Sequence, residues 1–249
     1  MPKKRKTAVV SGGMGGVGRA VCAQLAAEGF DVVALYFHTT EKEAESFVKT
    51  LYSGAHRSVR CDICDAEAVA RTIEEVRILY GAIDVCVHSA VGALARTPVL
   101  AMSAEGFKEQ FEAGFFGAFN LFSSVAPHMK ERRRGALIGI TTSAIEEGGG
   151  GARMGAYTVA KHALRALLRE LHKELSREGI GVYAIAPDLL KTPLNADLPE
   201  KYFEFAREKS LRKKLMTPKD VAQAVLRAVS GAVPPGSSLL VSSGEAAPL

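Results

Sequence analysis

The stretch Thr7-Ala8-Val9-Val10-Ser11-Gly12-Gly13-Met14-Gly15-Gly16-Val17-Gly18 decides how this chain folds. Its first half is a short apolar run, which reads as a strand buried on both faces. Its second half is a glycine-rich turn, and a helical pattern over 17–28 follows and stops at Gly29. Strand, glycine turn and helix in that order suit a pyrophosphate. Glycine lets the chain turn tightly and approach an anion closely, and the helix N-terminus offers free N–H groups and a positive dipole end. The adjacent pair Gly15-Gly16 allows more than one alignment of the glycines, but the strand–helix context supports dinucleotide binding over a merely flexible turn.

Outward from this stretch, strand and helix signals alternate to the end of the chain. Further strands are predicted over 31–37, 58–61, 85–88, 136–141, 181–186 and 238–241. Helices are predicted over 41–51, 66–80, 104–130, 154–178 and 218–229, the last opening on the cap pair Thr217-Pro218. Seven apolar runs interleaved with helices imply an α/β fold: a doubly wound parallel sheet of seven strands with helices on both faces, in a single domain spanning 1–249. One connection, 193–216, is long enough to be a lid or a substrate-side excursion.

Composition agrees. The chain has 249 residues, 47% of them hydrophobic, which is enough for one large core. A net charge of +5 is a solvated surface rather than a nucleic-acid footprint. No apolar run reaches the roughly 18 residues of a membrane span. The start, Met1-Pro2-Lys3-Lys4-Arg5-Lys6, lacks the apolar region of a secretory signal and reads as a solvated lead-in to the first strand. Four irregularly spaced cysteines, Cys22, Cys61, Cys64 and Cys86, point to a reducing, cytoplasmic setting. Cys61-x-x-Cys64 has no second pair to complete a zinc site, so no metal is expected.

The candidate chemistry lies in Gly155-Ala156-Tyr157-Thr158-Val159-Ala160-Lys161. Tyrosine and lysine four apart on a helix share a face, and an ammonium near a phenol favours the phenolate, which makes Tyr157 a candidate proton donor or acceptor. The pattern also occurs by chance in helices; its weight comes from the glycine turn that accompanies it.

Taken together, Gly12-x-x-x-Gly16-x-Gly18 and Tyr157-x-x-x-Lys161 resemble the short-chain dehydrogenase/reductase family over nearly the whole chain, and the opening turn is similar to its 3-oxoacyl-ACP and acetoacetyl-CoA reductase branch. The resemblance implies a Rossmann sheet of strand order 3-2-1-4-5-6-7 and hydride transfer between a nicotinamide and a carbonyl. It implies a cofactor cradle at Gly12, Met14, Gly16, Val17 and Gly18, adenine contacts at Asp62 and Ile63, and further cofactor contacts at Ala90, Tyr157, Lys161, Pro187 and Thr192. Tyr157 would be the proton donor, with Lys161 lowering its pKa. Ser143, 14 residues before the tyrosine, would position the carbonyl, with Thr141 and Thr142 as rivals.

At the end of the second strand, Tyr36-Phe37-His38-Thr39-Thr40 offers no carboxylate to repel a 2′-phosphate. His38 and Thr39 can donate to one and Arg19 adds charge, so NADP(H) is favoured over NAD(H). The chain departs from the family pattern in three places. His88-Ser89-Ala90-Val91 stands for N-N-A-G, Gly114 replaces the relay asparagine, and Asp188 replaces a glycine after the sixth strand, with strain expected if φ is positive there. The C-terminal Val241-Ser242-Ser243-Gly244 is a loose match to V-D-G-G. These departures keep open a cofactor-binding homologue with weak or no catalysis, as a sensor or non-catalytic subunit. Tailoring reductases of polyketide, steroid or pteridine-like carbonyls fit the same residues.

A 3-oxoacyl thioester substrate is expected, with acyl carrier protein or CoA as the carrier. The basic groups Arg207, Lys209, Arg212, Lys213 and Lys214, or Arg132-Arg133-Arg134, could steer it, although a solvated surface explains both clusters as well. Glu146 and Glu147 form a candidate carboxylate pair in a loop expected to be mobile. A homo-oligomer, dimer or tetramer, is expected through helices 104–130 and 154–178, where Phe111, Phe115, Phe116 and Phe119 are more apolar residues than one core stripe needs.

Overall fold

In a computed structural model, which describes residues 5–146, 153–210, 213–242 and 245–248, the apolar runs assemble into one sheet. Strands β1 (Lys6–Ser11), β2 (Phe30–Tyr36), β3 (Arg57–Arg60), β4 (Val85–His88), β5 (Gly135–Ile140), β6 (Ile180–Pro187) and β7 (Ser238–Ser242) are parallel, in the order β3-β2-β1-β4-β5-β6-β7. The seven-strand prediction misses one element. β8 (Glu245–Pro248) pairs antiparallel with β7 at the sheet edge. Its Glu-Ala-Ala-Pro sequence has no β-branched residue, and its proline is tolerated only because the strand is an edge.

Side chains alternate along each strand, so the inner strands supply two cores. Ala8 and Val10 of β1 pack with Val21 and Leu25 of α1 (Gly16–Ala27) and Val221 and Val225 of α8 (Pro218–Val229). Val9 faces the other way, into a core with Ile73 of α3 (Ala66–Tyr80), Leu121 and Phe122 of α5 (Gly117–Glu131), and Leu164 and Leu168 of α6 (Gly155–Leu175). Burial on both faces explains why these strands read as unbroken apolar runs. α2 (Glu41–Lys49) follows β2 and is capped by Thr40, whose hydroxyl accepts the Glu43 N–H at 3.3 Å.

Two helical expectations change. The single helix expected over 104–130 is α4 (Ala104–Phe111) and α5, joined by a π-turn at Glu112–Phe116. Gly114 sits in that turn, where its low helix propensity makes an extra residue per turn least costly. Within the excursion, residues 200–209 form a further helix, α7 (Glu200–Lys209), which starts after Pro199. No helix among the described residues is long and apolar enough to cross a membrane.

β1 connects outward to β2 on one side, while β4 lies on its other side. The strand order therefore reverses between β1 and β4, and the loops at their C-terminal ends part to leave a crevice.

Candidate active site

The crevice opens into a cavity of about 970 Å³. Gly15, Gly16 and Val17 line it from the β1–α1 side, Tyr157 and Lys161 from α6, and Pro187, Asp188 and Thr192 from the segment after β6. The fold thus brings the glycine turn and the tyrosine–lysine pair, which lie far apart in sequence, to one wall-to-wall space.

The glycine turn is as tight as its composition requires. Gly12 has φ +63°, and a Cβ there would lie 2.7 Å from the Ala90 Cα, so the turn sits directly on the end of β4. A Cβ at Gly18 would collide with the Gly12 carbonyl. Gly15 caps α1 with no side-chain hydrogen bond, which leaves the first N–H groups of the helix free for an anion. Met14 packs on the core and its carbonyl accepts the Arg19 Nε–H at 3.0 Å. The closely packed glycine backbone and the free N–H groups at the start of α1 fit a pyrophosphate, so the turn fits a dinucleotide.

The adenine-side candidates lie at the ends of β2 and β3 rather than in the cavity. Asp62 Oδ1 accepts the Cys64 N–H at 2.9 Å, and Ile63 packs where a Cβ at Gly117 would stand. Asn120 donates to the Ile63 carbonyl at 3.0 Å and so fixes this turn on α5. His38 and Thr39 follow β2, whose last residue, Tyr36, is buried. Arg60, paired in register with Tyr36 on the neighbouring strand, stacks its guanidinium 5.0 Å from the Phe37 ring centroid. Sequence reasoning missed it because only strand pairing places it beside β2. Arg19, on the other side, stacks on Phe47 and pairs with Glu43 at 2.5 Å.

The catalytic candidates Ser143, Tyr157 and Lys161 line the cavity together. Lys161 is buried, and its Nζ donates to the Ile140 carbonyl at 2.7 Å. Burial lowers its pKa to about 8. Its ammonium is 5.8 Å from the Tyr157 ring centroid. Burial pushes the Tyr157 pKa up, opposed by a hydrogen bond with the Thr142 side chain and by the Arg96 charge. Tyr157 therefore holds its proton at neutral pH, as a donor must.

Ser143 lines the same cavity, and its hydroxyl donates to Asp188 Oδ1 at 3.2 Å. The Thr142 side chain accepts the Ala144 N–H at 3.2 Å and opposes the rise of the Tyr157 pKa. Thr141 is committed to the sheet, donating to the Ile185 carbonyl at 3.1 Å. Asp188 carries no backbone strain, since it is not among the described residues with positive φ, and its amide donates to the Val241 carbonyl at 3.0 Å.

Arg96 is another residue the sequence did not reveal. It binds Asp197 and Asn195, both at 2.7 Å, and so ties the β4–α4 loop to the segment after β6 across the cavity. Arg132 and Arg134 pair with Asp84 at 2.7 and 3.3 Å, and Arg133 with Glu178 at 3.2 Å. These arginines precede β5, at the end of the sheet opposite the crevice, so they are not placed to steer a ligand into it. Glu146 pairs with Arg165 at 2.8 Å; Glu147, Arg212, Ser243 and Gly244 lie outside the described residues. Burial, with Asp62 nearby, pushes the Cys64 pKa up to about 12, so this thiol stays protonated at neutral pH.

A family model described as enoyl-(acyl carrier protein) reductase matches residues 12–244. This chain belongs to the short-chain dehydrogenase/reductase family. It is an NAD(P)-dependent oxidoreductase of that family. It is 28% identical over 81% of its length to the 3-oxoacyl-[acyl-carrier-protein] reductase FabG of Staphylococcus aureus, 81% of which is covered. A short-chain type dehydrogenase/reductase from Mycobacterium ulcerans superposes with a TM-score of 0.88 at 25% identity, covering 98% of this chain and 90% of that one. A structure titled "ElxO with NADP Bound" has the same fold, with a TM-score of 0.86 at 22% identity over 96% of this chain and 98% of its own. Of the departures from the family pattern, Asp188 is exposed and lines the cavity, while His88 and Gly114 are buried.

Proposed function

We propose that this chain is an NADP(H)-dependent ketoreductase. The observation that carries the reading is the buried Tyr157 phenol, which keeps its proton and faces the same cavity as the glycine turn. The bound nicotinamide cofactor supplies the hydride. Thr142 orients the carbonyl oxygen, and Tyr157 O–H donates to it as negative charge develops. Lys161 adds a fixed positive charge beneath the site. Thr142→Val is expected to lower kcat by about 10²-fold, the scale for one lost donor to a developing oxyanion. Ser143→Ala is expected to change kcat severalfold less; equal losses would return the role to Ser143.

The NADP(H) preference is supported by the absence of a carboxylate at the end of β2 and by two guanidiniums, Arg19 and Arg60, flanking it. Fluorescence titration is expected to give tighter binding of NADPH than NADH. Arg60→Ala is expected to weaken NADPH by about tenfold or more and leave NADH unchanged, on the scale of one charged hydrogen bond. An unchanged NADPH affinity would remove Arg60 from the site.

The substrate side supports an acyl chain. Leu94, Met154, Leu198, Tyr202 and Phe205 give the cavity apolar walls, with Lys201 beside them. A 3-oxoacyl thioester places its carbonyl at Tyr157 and its carrier at this mouth, where Arg207 and Lys209 of α7 suit an acidic acyl carrier protein. A screen of 3-oxoacyl thioesters and simpler ketones with both cofactors tests the assignment; turnover of the ketones alone would reject the thioester. A second copy of the chain fits the π-turn, α5 and α6, where Phe116, Phe119 and Val159 stay exposed.

A cofactor binder with weak or no catalysis is the second reading, favoured by the Asp188 carboxylate on Ser143. NADPH binding without turnover across the screen would establish it.

A further inference from the structure

Asp188 is the first residue beyond β6, at a position where the family pattern carries glycine. Its amide donates to the Val241 carbonyl at 3.0 Å, which ties the backbone to the end of the sheet. Its side chain is exposed and lines the cavity together with Tyr157. Oδ1 accepts the Leu189 N–H at 2.8 Å and the Ser143 O–H at 3.2 Å, so the carboxylate is held towards the turn that follows β5. Both donors are neutral. Among the described residues no lysine or arginine forms an ion pair with Asp188. Lys191 is taken by Glu200 and Arg96 by Asp197, each at 2.7 Å.

The segment that Asp188 opens leads to the glycine turn. At its far end, Thr192 Cγ2 lies 2.9 Å from the position a Cβ would take at Gly16. Residues 188–192 therefore run along the cavity from Ser143 to the start of α1. A dinucleotide with its pyrophosphate at that helix N-terminus and its nicotinamide facing Tyr157 lies along this segment, with the ring at the Asp188 end. The ring is positively charged when oxidised and neutral when reduced. A fixed carboxylate beside it attracts the oxidised form alone, and a ring that covers the carboxylate also excludes the water that would screen the attraction.

We propose that Asp188 is a specificity-determining residue for the redox state of the cofactor: its carboxylate makes this chain hold the oxidised nicotinamide dinucleotide more tightly than a neutral residue would. The inference rests on Tyr157 marking where the ring lies. It does not rest on the preference for NADP(H), because the ring is common to both dinucleotides. Lys161 puts a positive charge on the same cavity, and Asp188 offsets its effect on the oxidised ring. Ser143, with its O–H turned to Oδ1, keeps the carboxylate on the cavity wall. Two consequences follow for the bound state. The equilibrium between bound reactants moves towards alcohol oxidation, and in carbonyl reduction the oxidised cofactor leaves more slowly.

The test measures binding rather than turnover. Calorimetric titration gives the affinities of NADP⁺ and NADPH for wild type and for Asp188→Asn, which keeps an acceptor for Ser143 and Leu189 and removes the charge. The variant is expected to bind NADP⁺ about tenfold more weakly and NADPH within about twofold of wild type, the scale of one close pair of opposite charges. An unchanged ratio of the two affinities overturns the proposal. An equal loss of both forms also overturns it, since Asp188 would then be a contact of the cofactor and not a charge acting on its ring. If Asp188→Asn does not fold, Asp188→Gly is the deciding variant, with the same change in the ratio expected. Ser143→Ala keeps the charge and is expected to leave the ratio within about threefold; a tenfold change there would assign the effect to the serine and overturn the proposal. The same titrations with NAD⁺ and NADH are expected to show the same shift, so a failed NADP(H) preference is seen separately. A wild type that binds neither pair overturns the proposal together with the dinucleotide site. Failure of Tyr157 as the donor is read independently, as wild-type turnover in Tyr157→Phe.

Discussion

Tyr157→Phe is expected to lower kcat for carbonyl reduction by about 10²- to 10⁴-fold while leaving NADPH affinity within a few-fold of wild type. The range is that of one positioned proton donor. The residue is buried on the first turn of α6, with its hydroxyl against Thr142 and its ring packed near Lys161. Removing one oxygen deletes the donor and leaves the ring in place, so the fold and the glycine turn are untouched. Because burial raises the phenol pKa, the tyrosine is already in its donor form at neutral pH. Reduction should therefore not need an acidic optimum, and ionisation of the phenol itself should matter only in strong alkali. The measurement is single-turnover reduction with saturating NADPH, alongside a fluorescence titration of the cofactor. Wild-type turnover in the variant would reject Tyr157 as the donor; lost cofactor binding would place its main contribution in the cradle.

How much of this was legible in the chain differs from residue to residue for physical reasons. The parallel sheet was legible because strands buried on both faces must be apolar throughout, and the glycine turn because Gly12 alone tolerates its φ. Thr142 was legible only as a rival, because Ser143 was preferred by counting back from Tyr157. A glycine-rich loop does not conserve length, whereas the register of β5 does, and counting forward from Ile140 leads to the hydroxyl at 142. Strain at Asp188 was expected only if φ is positive there, and its backbone instead continues the pairing with β7 without a positive φ.

The π-turn was illegible for another reason. Residues 104–130 have the composition of one helix, and the extra residue at Gly114 is fixed by the tertiary packing of α6 against it. Nor could spacing show that the ammonium of Lys161 turns to the Ile140 carbonyl. Four residues along a helix give a shared face, but the partner of a buried charge is chosen by whichever acceptor surrounds it.

Lys161→Met should separate activity from stability by the sign of its pH dependence. The lysine is buried, with a pKa lowered from 10.5 to about 8. Between those values the unfolded chain binds more protons than the folded one, so wild-type stability rises as pH increases from about 8 to about 10.5. Below about 8 the whole cost of burying the ammonium is present, about 3 kcal/mol at 1.36 kcal/mol per pKa unit. Methionine removes that cost but leaves the Ile140 carbonyl without its lysine donor, a loss of about 1–3 kcal/mol. The variant is thus expected to be as stable as wild type or slightly more so at pH 7, and less stable by about 1–3 kcal/mol at pH 10.5. Urea denaturation at the two pH values measures the difference, and a gap that does not change with pH would mean that Lys161 is not a buried ammonium. Activity follows a different rule. The fixed positive charge is lost, so kcat should fall by about 10²-fold or more at every pH. In wild type, reduction should weaken as pH rises through about 8, where Lys161 loses its charge. The site therefore keeps a charge that weakens the fold under the same conditions in which the chemistry needs it.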